Sequence, residues 1–354
     1  MREGPALSSL GGWPYVLGRL IGGHDLTAGE AQAALAEILS GDASPVQMAS
    51  FLTALRQKGE TVEELAALAR TALEFAEPLR IPGDLVDTCG TGGDRSRSIN
   101  VSTLAALVVA GAGARVCKHG NRAASSSAGS ADVLEALGVA IDLGPAGVAR
   151  CVEEAGMGFC FAPRFHAALR HAGPVRRELG VATVFNFLGP LSNPGHAKRQ
   201  VVGVSDPSMG DKMLGVLAAN GAKQAMVVWG HDGLDELSVS GPSTVLWLTG
   251  EGDVRQLVVD PSELGLPLAP LEALKGADAP TNADAARRVL DGERGPQRDV
   301  VVLNAAAGLV VAGLCPDLAP GLEMASAVID DGRAARVLDR LVTVSQAAAR
   351  EEQR

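Results

Sequence analysis

Asp84-Leu85-Val86-Asp87-Thr88-Cys89-Gly90-Thr91-Gly92-Gly93-Asp94, followed from Asn100 to Val109 by apolar residues at helical spacing, reads as strand, glycine loop and helix. Pro82-Gly83 marks its start, and Asp84 to Asp87 supplies the short strand. A strand that feeds a helix through a tight loop is the beginning of a crossover onto a parallel sheet. Downstream strand candidates are Gln200 to Val204, Ala225 to Trp229, Thr244 to Leu248, Val254 to Val259 and Val300 to Leu303, interleaved with Ala- and Leu-rich helices. The expected core is therefore α/β, with a central, largely parallel sheet flanked by helices.

Upstream of residue 80 the texture differs. Thr27-Ala28-Gly29-Glu30 and Thr61-Val62-Glu63-Glu64 fit the capping box, and Ser44-Pro45 opens a helix carrying Phe51, Leu52 and Leu55 inward. Gly41 and Gly59 stand where helices stop. A small N-terminal α-helical domain is expected over residues 1–80, with helices near 164–195 as candidates to pack with it, and a larger α/β domain over 81–354.

Charge and composition exclude several partners. A net charge of −10 offers no broad basic face for nucleic acid or anionic lipid, and 3% aromatics leave little for base stacking. A small anionic ligand is still possible, because local donors act within roughly 10 Å at ordinary salt. Five scattered cysteines with no Cys-x-x-Cys pair favour a reducing compartment over disulfides or zinc, and a cytoplasmic protein without leader or membrane span is expected.

Three stretches carry chemistry. The Asp87–Asp94 loop presents backbone amides without side chains in the way, ahead of a helix N-terminus, and reads as a phosphate cradle. It lacks the Gly-Lys-Ser/Thr of a Walker loop, and Arg95 stands where a dinucleotide fingerprint needs its third glycine. Ser98-Ile99-Asn100-Val101-Ser102-Thr103 places more polar side chains at the helix start than a cap requires. Such neutral oxygens suit diphosphate and a magnesium ion that keeps several waters. Lys118-His119-Gly120-Asn121-Arg122-Ala123-Ala124-Ser125-Ser126-Ser127-Ala128-Gly129-Ser130 reads alone as a solvated connection or as a set of cations and hydroxyls matched to a polyphosphate; its place after the first loop favours the second reading.

These motifs, with Gly129 to Gly138, Pro174 to Gly180, Phe185 to Pro194 and Asp232 to Glu236, occur in an order that resembles anthranilate phosphoribosyltransferases, over about Gly12 to Leu309. The resemblance implies a nucleoside phosphorylase/phosphoribosyltransferase-like fold and transfer of phosphoribosyl from 5-phosphoribosyl 1-pyrophosphate to anthranilate, in tryptophan biosynthesis. Carried over, Gly90, Gly93, Asp94, Ser98, Asn100, Val101, Ser102, Thr103, Lys118, His119, Gly120, Asn121, Arg122, Ala123, Ala124, Ser125, Ser126 and Ser130 would hold the donor. Gly90, Asn121 and Arg176 would contact anthranilate. Ser102, Asp235 and Glu236 would bind magnesium, as two ions.

No dedicated acid or base is expected. An aromatic amine is unprotonated at neutral pH, so His119 reads as an orienting contact, and catalysis rests on positioning and electrostatics. Taken without the resemblance, Asp235-Glu236 is an exposed acidic turn and Arg176 a partner for Glu178. The resemblance also implies a homodimer and a hinge near residues 80–85. His166, Ala182 and Trp229 depart from the family pattern at positions that touch no carried-over ligand. The rival readings are a related enzyme with another acceptor and a non-catalytic nucleic-acid binder.

Overall fold

Side-chain caps define three of the first four helices, α1 (Gly12–Ile21), α2 (Ala28–Ser40), α3 (Pro45–Lys58) and α4 (Val62–Glu74). The Thr27/Glu30 and Thr61/Glu64 boxes form as read from the sequence, and Ser44 makes a third with Gln47. A computed structural model of the chain describes residues 5–123 and 127–354. Glu64 does more than cap. Its buried carboxylate accepts from Leu26 N at 2.8 Å and from Lys58 Nζ at 2.9 Å, which ties α2, α3 and α4 at one corner.

The remainder alternates strand and helix: β1 (Val86–Gly90), α5 (Val101–Gly111), β2 (Val116–Gly120), α6 (Ser130–Ala136), α7 (Pro145–Ala155), β3 (Met157–Phe161), α8 (Ala162–Phe165), α9 (Gly173–Leu179), α10 (Phe185–Leu191), β4 (Arg199–Gly203), α11 (Gly210–Ala219) and β5 (Gln224–Gly230). Then come β6 (Ser243–Leu248), β7 (Val254–Val259), α12 (Ala279–Leu290), α13 (Pro296–Ala312), α14 (Leu318–Asp330) and α15 (Arg333–Glu352). The seven strands run in the order β3-β2-β1-β4-β5-β6-β7, parallel through β5 and antiparallel in β6 and β7. At the far edge, β7 leaves Val254, Leu257 and Val258 exposed.

Two apolar layers enclose this sheet. On one side α5 and α13, apolar nearly all round and buried as such helices must be, pack with α7, α14 and α15. On the other, α1–α4 share a core with Ala172, Val175, Phe185, Phe187 and Leu188 from α9, α10 and the turn before α9, and with Val202 and Val227 of the sheet. At roughly 1.5–3 kcal/mol for each large apolar side chain removed from water, these layers dominate stability.

Three sequence expectations shift. Val300 to Leu303, expected as a strand, lies inside α13; all four residues are buried within an apolar run that continues to Val311, too long for a strand. The strand expected at Asp84 to Asp87 starts at Val86 and runs through Gly90, so the glycine loop begins one turn later. β3 gave no alternating pattern because both its faces are covered, and Lys118-His119-Gly120, read as loop, ends β2. Among the described residues no helix is long and apolar enough to cross a membrane, and all five cysteines are free and buried.

Glu64→Ala leaves the Leu26 and Thr61 amides without their acceptor and Lys58 with only Asp25 and Gly59 O, so a loss of about 2 kcal/mol is expected. Thermal unfolding reads this directly, and an unchanged midpoint would refute the corner's role.

Candidate active site

The strand order reverses direction between β1 and β4, since the chain leaves β1 for β2 and β3 on one side and returns to β4 and β5 on the other. Crevices at the carboxyl ends of strands beside such a switch point are where α/β proteins bind ligands. A cavity of about 340 Å³ lies there, lined by the Gly90–Asp94 loop, Ser98–Thr103, Lys118–Ala123, Ser130, Asp235 and Glu236. A larger cavity of about 620 Å³ beside α4 includes Arg70 and Lys198, but both cations are already held by Asn220, at 3.0 and 2.6 Å.

The acidic wall is built from behind. Asp235 Oδ2 accepts from Gly92 N at 2.8 Å, and Glu236 Oε1 accepts from Ser102 N at 3.1 Å. Burial first, and Asp94 opposite second, push the Asp235 carboxyl up to about 7; burial and then Asp235 raise Glu236 well above the usual range, with Lys118 opposing. Glycine makes this packing possible. A Cβ on Gly90 would sit 2.5 Å from Asp235 Oδ2, and one on Gly203, at the end of β4, only 1.6 Å from the Asp235 carbonyl oxygen. Gly92 and Gly93 take φ of +68° and +87°, and Ser205 Oγ pins the loop by donating to Gly92 O at 2.8 Å.

Two carboxylates with the Ser102 hydroxyl nearby fit a hard divalent cation. Among the described residues no three His, Cys, Asp or Glu side chains form a closed metal cluster. An ion here would be shared with water and ligand oxygens, the usual arrangement for magnesium.

The cationic and hydroxyl residues divide by role. Lys118, 1% exposed, turns its ammonium to Thr88 O and, at 3.4 Å, Ser102 Oγ, so its charge acts from beneath the cavity floor. Thr103 Oγ1 is buried in the wall with no partner. Val101 is buried at the start of α5, and Ser98 sits beside Ser96, whose Oγ donates to it at 3.2 Å. Asn100 precedes the helix without capping it; its amide donates to Ala128 O at 3.1 Å. Arg122 is drawn to the rim by Asp132 and Glu135, each at 2.8 Å. Asn121 O accepts from Ser130 Oγ, while Asp132 accepts from Ala123 N. Ala124, Ser125 and Ser126 lie outside the described residues.

His119 Nδ1 meets Gly189 O at 3.0 Å, and only an N–H can donate to that carbonyl. Nε2 is then a bare acceptor, buried without a partner, and burial together with His166 lowers the pKa to about 3. His119 is neutral at physiological pH. Arg176 is half-buried over the Phe185 ring at 5.1 Å, and its guanidinium has no hydrogen bond or ion pair to any described residue, so Glu178 is not its partner. Arg176 does not line the cavity as described; Asn186, from the same helical segment, does.

Residues 82–335 match a profile described as "Glycosyl transferase family, a/b domain", and residues 14–76 one described as "Glycosyl transferase family, helical bundle domain". An anthranilate phosphoribosyltransferase of Roseiflexus castenholzii is 53% identical over 92% of this chain and 96% of its own length. Another from Nocardioides is 53% identical, covering 94% and 98%. The chain belongs to the anthranilate phosphoribosyltransferase family. Among that family's solved structures, the Thermus thermophilus protein superposes with a TM-score of 0.89 at 46% identity, covering 94% of this chain and 99% of its own. The Saccharomyces cerevisiae protein, in complex with PRPP and Mg, gives 0.87 at 28%, covering 95% and 98%. Membership makes the chain an enzyme of the glycosyltransferase class and accounts for its helical bundle joined to an α/β unit.

Sequence reading missed Gly203, Ser205 and Asn186. Gly203 and Ser205 flank the end of an expected strand, which was the available signal; Asn186 stood inside a quoted motif with nothing local to mark it. Gly203→Ala must displace the segment bearing Asp235 and Glu236 by about 1 Å or more, a misplacement on the scale that costs roughly 100-fold in turnover. Steady-state kinetics on folded variant, checked by circular dichroism, would show this; wild-type turnover would deny Gly203 its part.

Proposed function

We propose that the chain transfers the phosphoribosyl group of 5-phosphoribosyl 1-pyrophosphate to the amine of anthranilate, releasing pyrophosphate, as a step of tryptophan biosynthesis. The observation that carries this reading is the cavity at the β1/β4 switch point. It joins a glycine loop open to a polyanion with two buried carboxylates, Asp235 and Glu236, that burial and mutual repulsion hold above the usual range.

The donor's diphosphate lies on the Gly90–Asp94 loop and the start of α5, where Ser98, Asn100, Ser102 and Thr103 offer amides and hydroxyls and the helix dipole favours anions. Ser102, Asp235 and Glu236 would hold magnesium, two ions in the full complex, which supplies positive charge to the departing pyrophosphate. Gly120 leaves room at the end of β2, and Lys118 holds Ser102 and offsets the acidic wall from below. As the C1–oxygen bond breaks, its electron pair leaves with pyrophosphate, the amine nitrogen of anthranilate closes on C1, and the proton then shed from nitrogen passes to water. Neutral His119 contributes an acceptor, Nε2, that orients the amine, while Gly90 and Asn121 border the acceptor and Arg176 takes its carboxylate. Positioning and charge stabilisation do the catalytic work, with no side chain cycling a proton.

The same reading assigns residues 1–80 to a helical domain and 81–354 to the donor-binding domain, with a hinge near 80–85 whose closure brings Arg176 toward the cavity. It assigns the exposed Tyr15, Ile21, Val46 and Val181 of the helical face to a homodimer contact, and the protein to the cytoplasm.

Anthranilate fluorescence should fall when the protein, the donor and magnesium are mixed, and should hold steady when the donor is omitted. No fall with freshly folded protein would overturn the assignment. Arg176→Ala should raise the anthranilate KM by about 10- to 100-fold, the scale of a charged hydrogen bond, and leave the donor KM alone. An unchanged anthranilate KM would free Arg176 of the role.

A further inference from the structure

Asn100 stands among the donor-binding residues, yet both ends of its carboxamide are engaged by the protein. Asn282, on α12, donates from Nδ2 to Asn100 Oδ1 at 3.0 Å, and Asn100 Nδ2 donates on to Ala128 O at 3.1 Å. Asn282 Oδ1 in turn accepts from Ala277 N at 2.7 Å. The chain runs from a backbone amide, which can only donate, to a backbone carbonyl, which can only accept. Both ends therefore set the orientation of both asparagines, and neither amide can flip without placing like groups together.

The surroundings extend this brace. Residues 274–277 run alongside the outer limb of the cradle: Ile99 N donates to Leu274 O at 2.9 Å, Gly276 N to Arg97 O at 2.8 Å, and Ser98 pairs with Lys275. Gly276 is needed for the approach, since a Cβ there would lie 2.3 Å from Asn282 Oδ1. Asn282 is 3% exposed and does not line the cavity. A buried carboxamide with no ligand of its own, spent on a turn 182 residues away, has the signature of a part that aims another.

We infer that Asn282 is a positioning residue for the donor site: it sets the Asn100 carboxamide and, through it, the Ala128 end of the loop that follows Lys118–Arg122. This rests on the donor site under Proposed function. Because Asn100 and Ala128 belong to the donor side of the cavity, loss of Asn282 acts on the donor and spares anthranilate.

The test is a double-mutant cycle on the full-length protein with magnesium, reading direct binding of 5-phosphoribosyl 1-pyrophosphate by calorimetry and both KM values by fluorescence. Asn282→Ala should weaken donor binding by about tenfold, the scale of a broken buried hydrogen-bond chain, with the anthranilate KM within about twofold of wild type. In an Asn100→Ala background the same change should have little further effect. Asn282→Asp keeps the volume and the Ala277 bond, so it serves if Asn282→Ala does not fold. Its added charge would act equally in both backgrounds, whereas a broken relay acts only when Asn100 is present. Fully additive effects, or a loss of thermal stability with wild-type donor affinity, would overturn the inference. If the wild-type protein itself does not bind the donor, the failure lies with the proposed donor site instead.

Discussion

Negative charge, crowded where the protein can least solvate it, is the constraint around which this molecule is arranged. Asp94, Asp235 and Glu236 face one another at the strand ends, and the Lys118 ammonium opposes Glu236 from inside. Such a cluster is costly in isolation, because each carboxylate loses water and gains a like-charged neighbour. It persists because the surrounding chain is over-determined: Gly92 and Ser102 amides hold the carboxylates, Gly90 and Gly203 make room, and Asn304 clamps the next residue by bonding both Leu237 N and Leu237 O. A cation bound against these carboxylates would relieve that repulsion.

Rigidity behind the site and freedom in front of it follow from the same economy of contacts. The floor is made of strand ends and of α5, enclosed on every side. Arg122, by contrast, sits at the rim, drawn to Asp132 and Glu135, and Arg176 rests on Phe185 away from the cavity lining. Exposed ion pairs of the Arg122 type are worth at most about 1 kcal/mol, so that guanidinium is released from its carboxylates at little cost.

Much of this was legible in the sequence, for identifiable reasons. Capping boxes, the strand-loop-helix at Val86 to Gly111 and the strands Thr244 to Leu248 and Val254 to Val259 are local patterns, and local patterns survive folding. Val300 to Leu303 misled because a buried helix and a buried strand present the same apolar run. Lys118 looked like a loop cation because composition does not reveal that a lysine can lie under a strand end, bonded to a carbonyl and a hydroxyl. Gly203 and Asn282 were silent for a deeper reason: their roles exist only between segments far apart in the chain, and nothing in their neighbours announces the meeting.

That distance has a consequence for how the protein is made. β1 and β4 lie side by side across the cleft, but 108 residues separate the end of one, Gly90, from the start of the other, Arg199. At ribosomal speeds of about 5–20 residues per second, β1 waits on the order of 5 to 20 seconds for its partner. Once β3 is complete the nascent chain carries β1, β2 and β3 with the β1 side still unpaired, the kind of edge that invites mispairing. The seam at which the cavity forms is thus, during synthesis, an unpaired strand edge awaiting its partner.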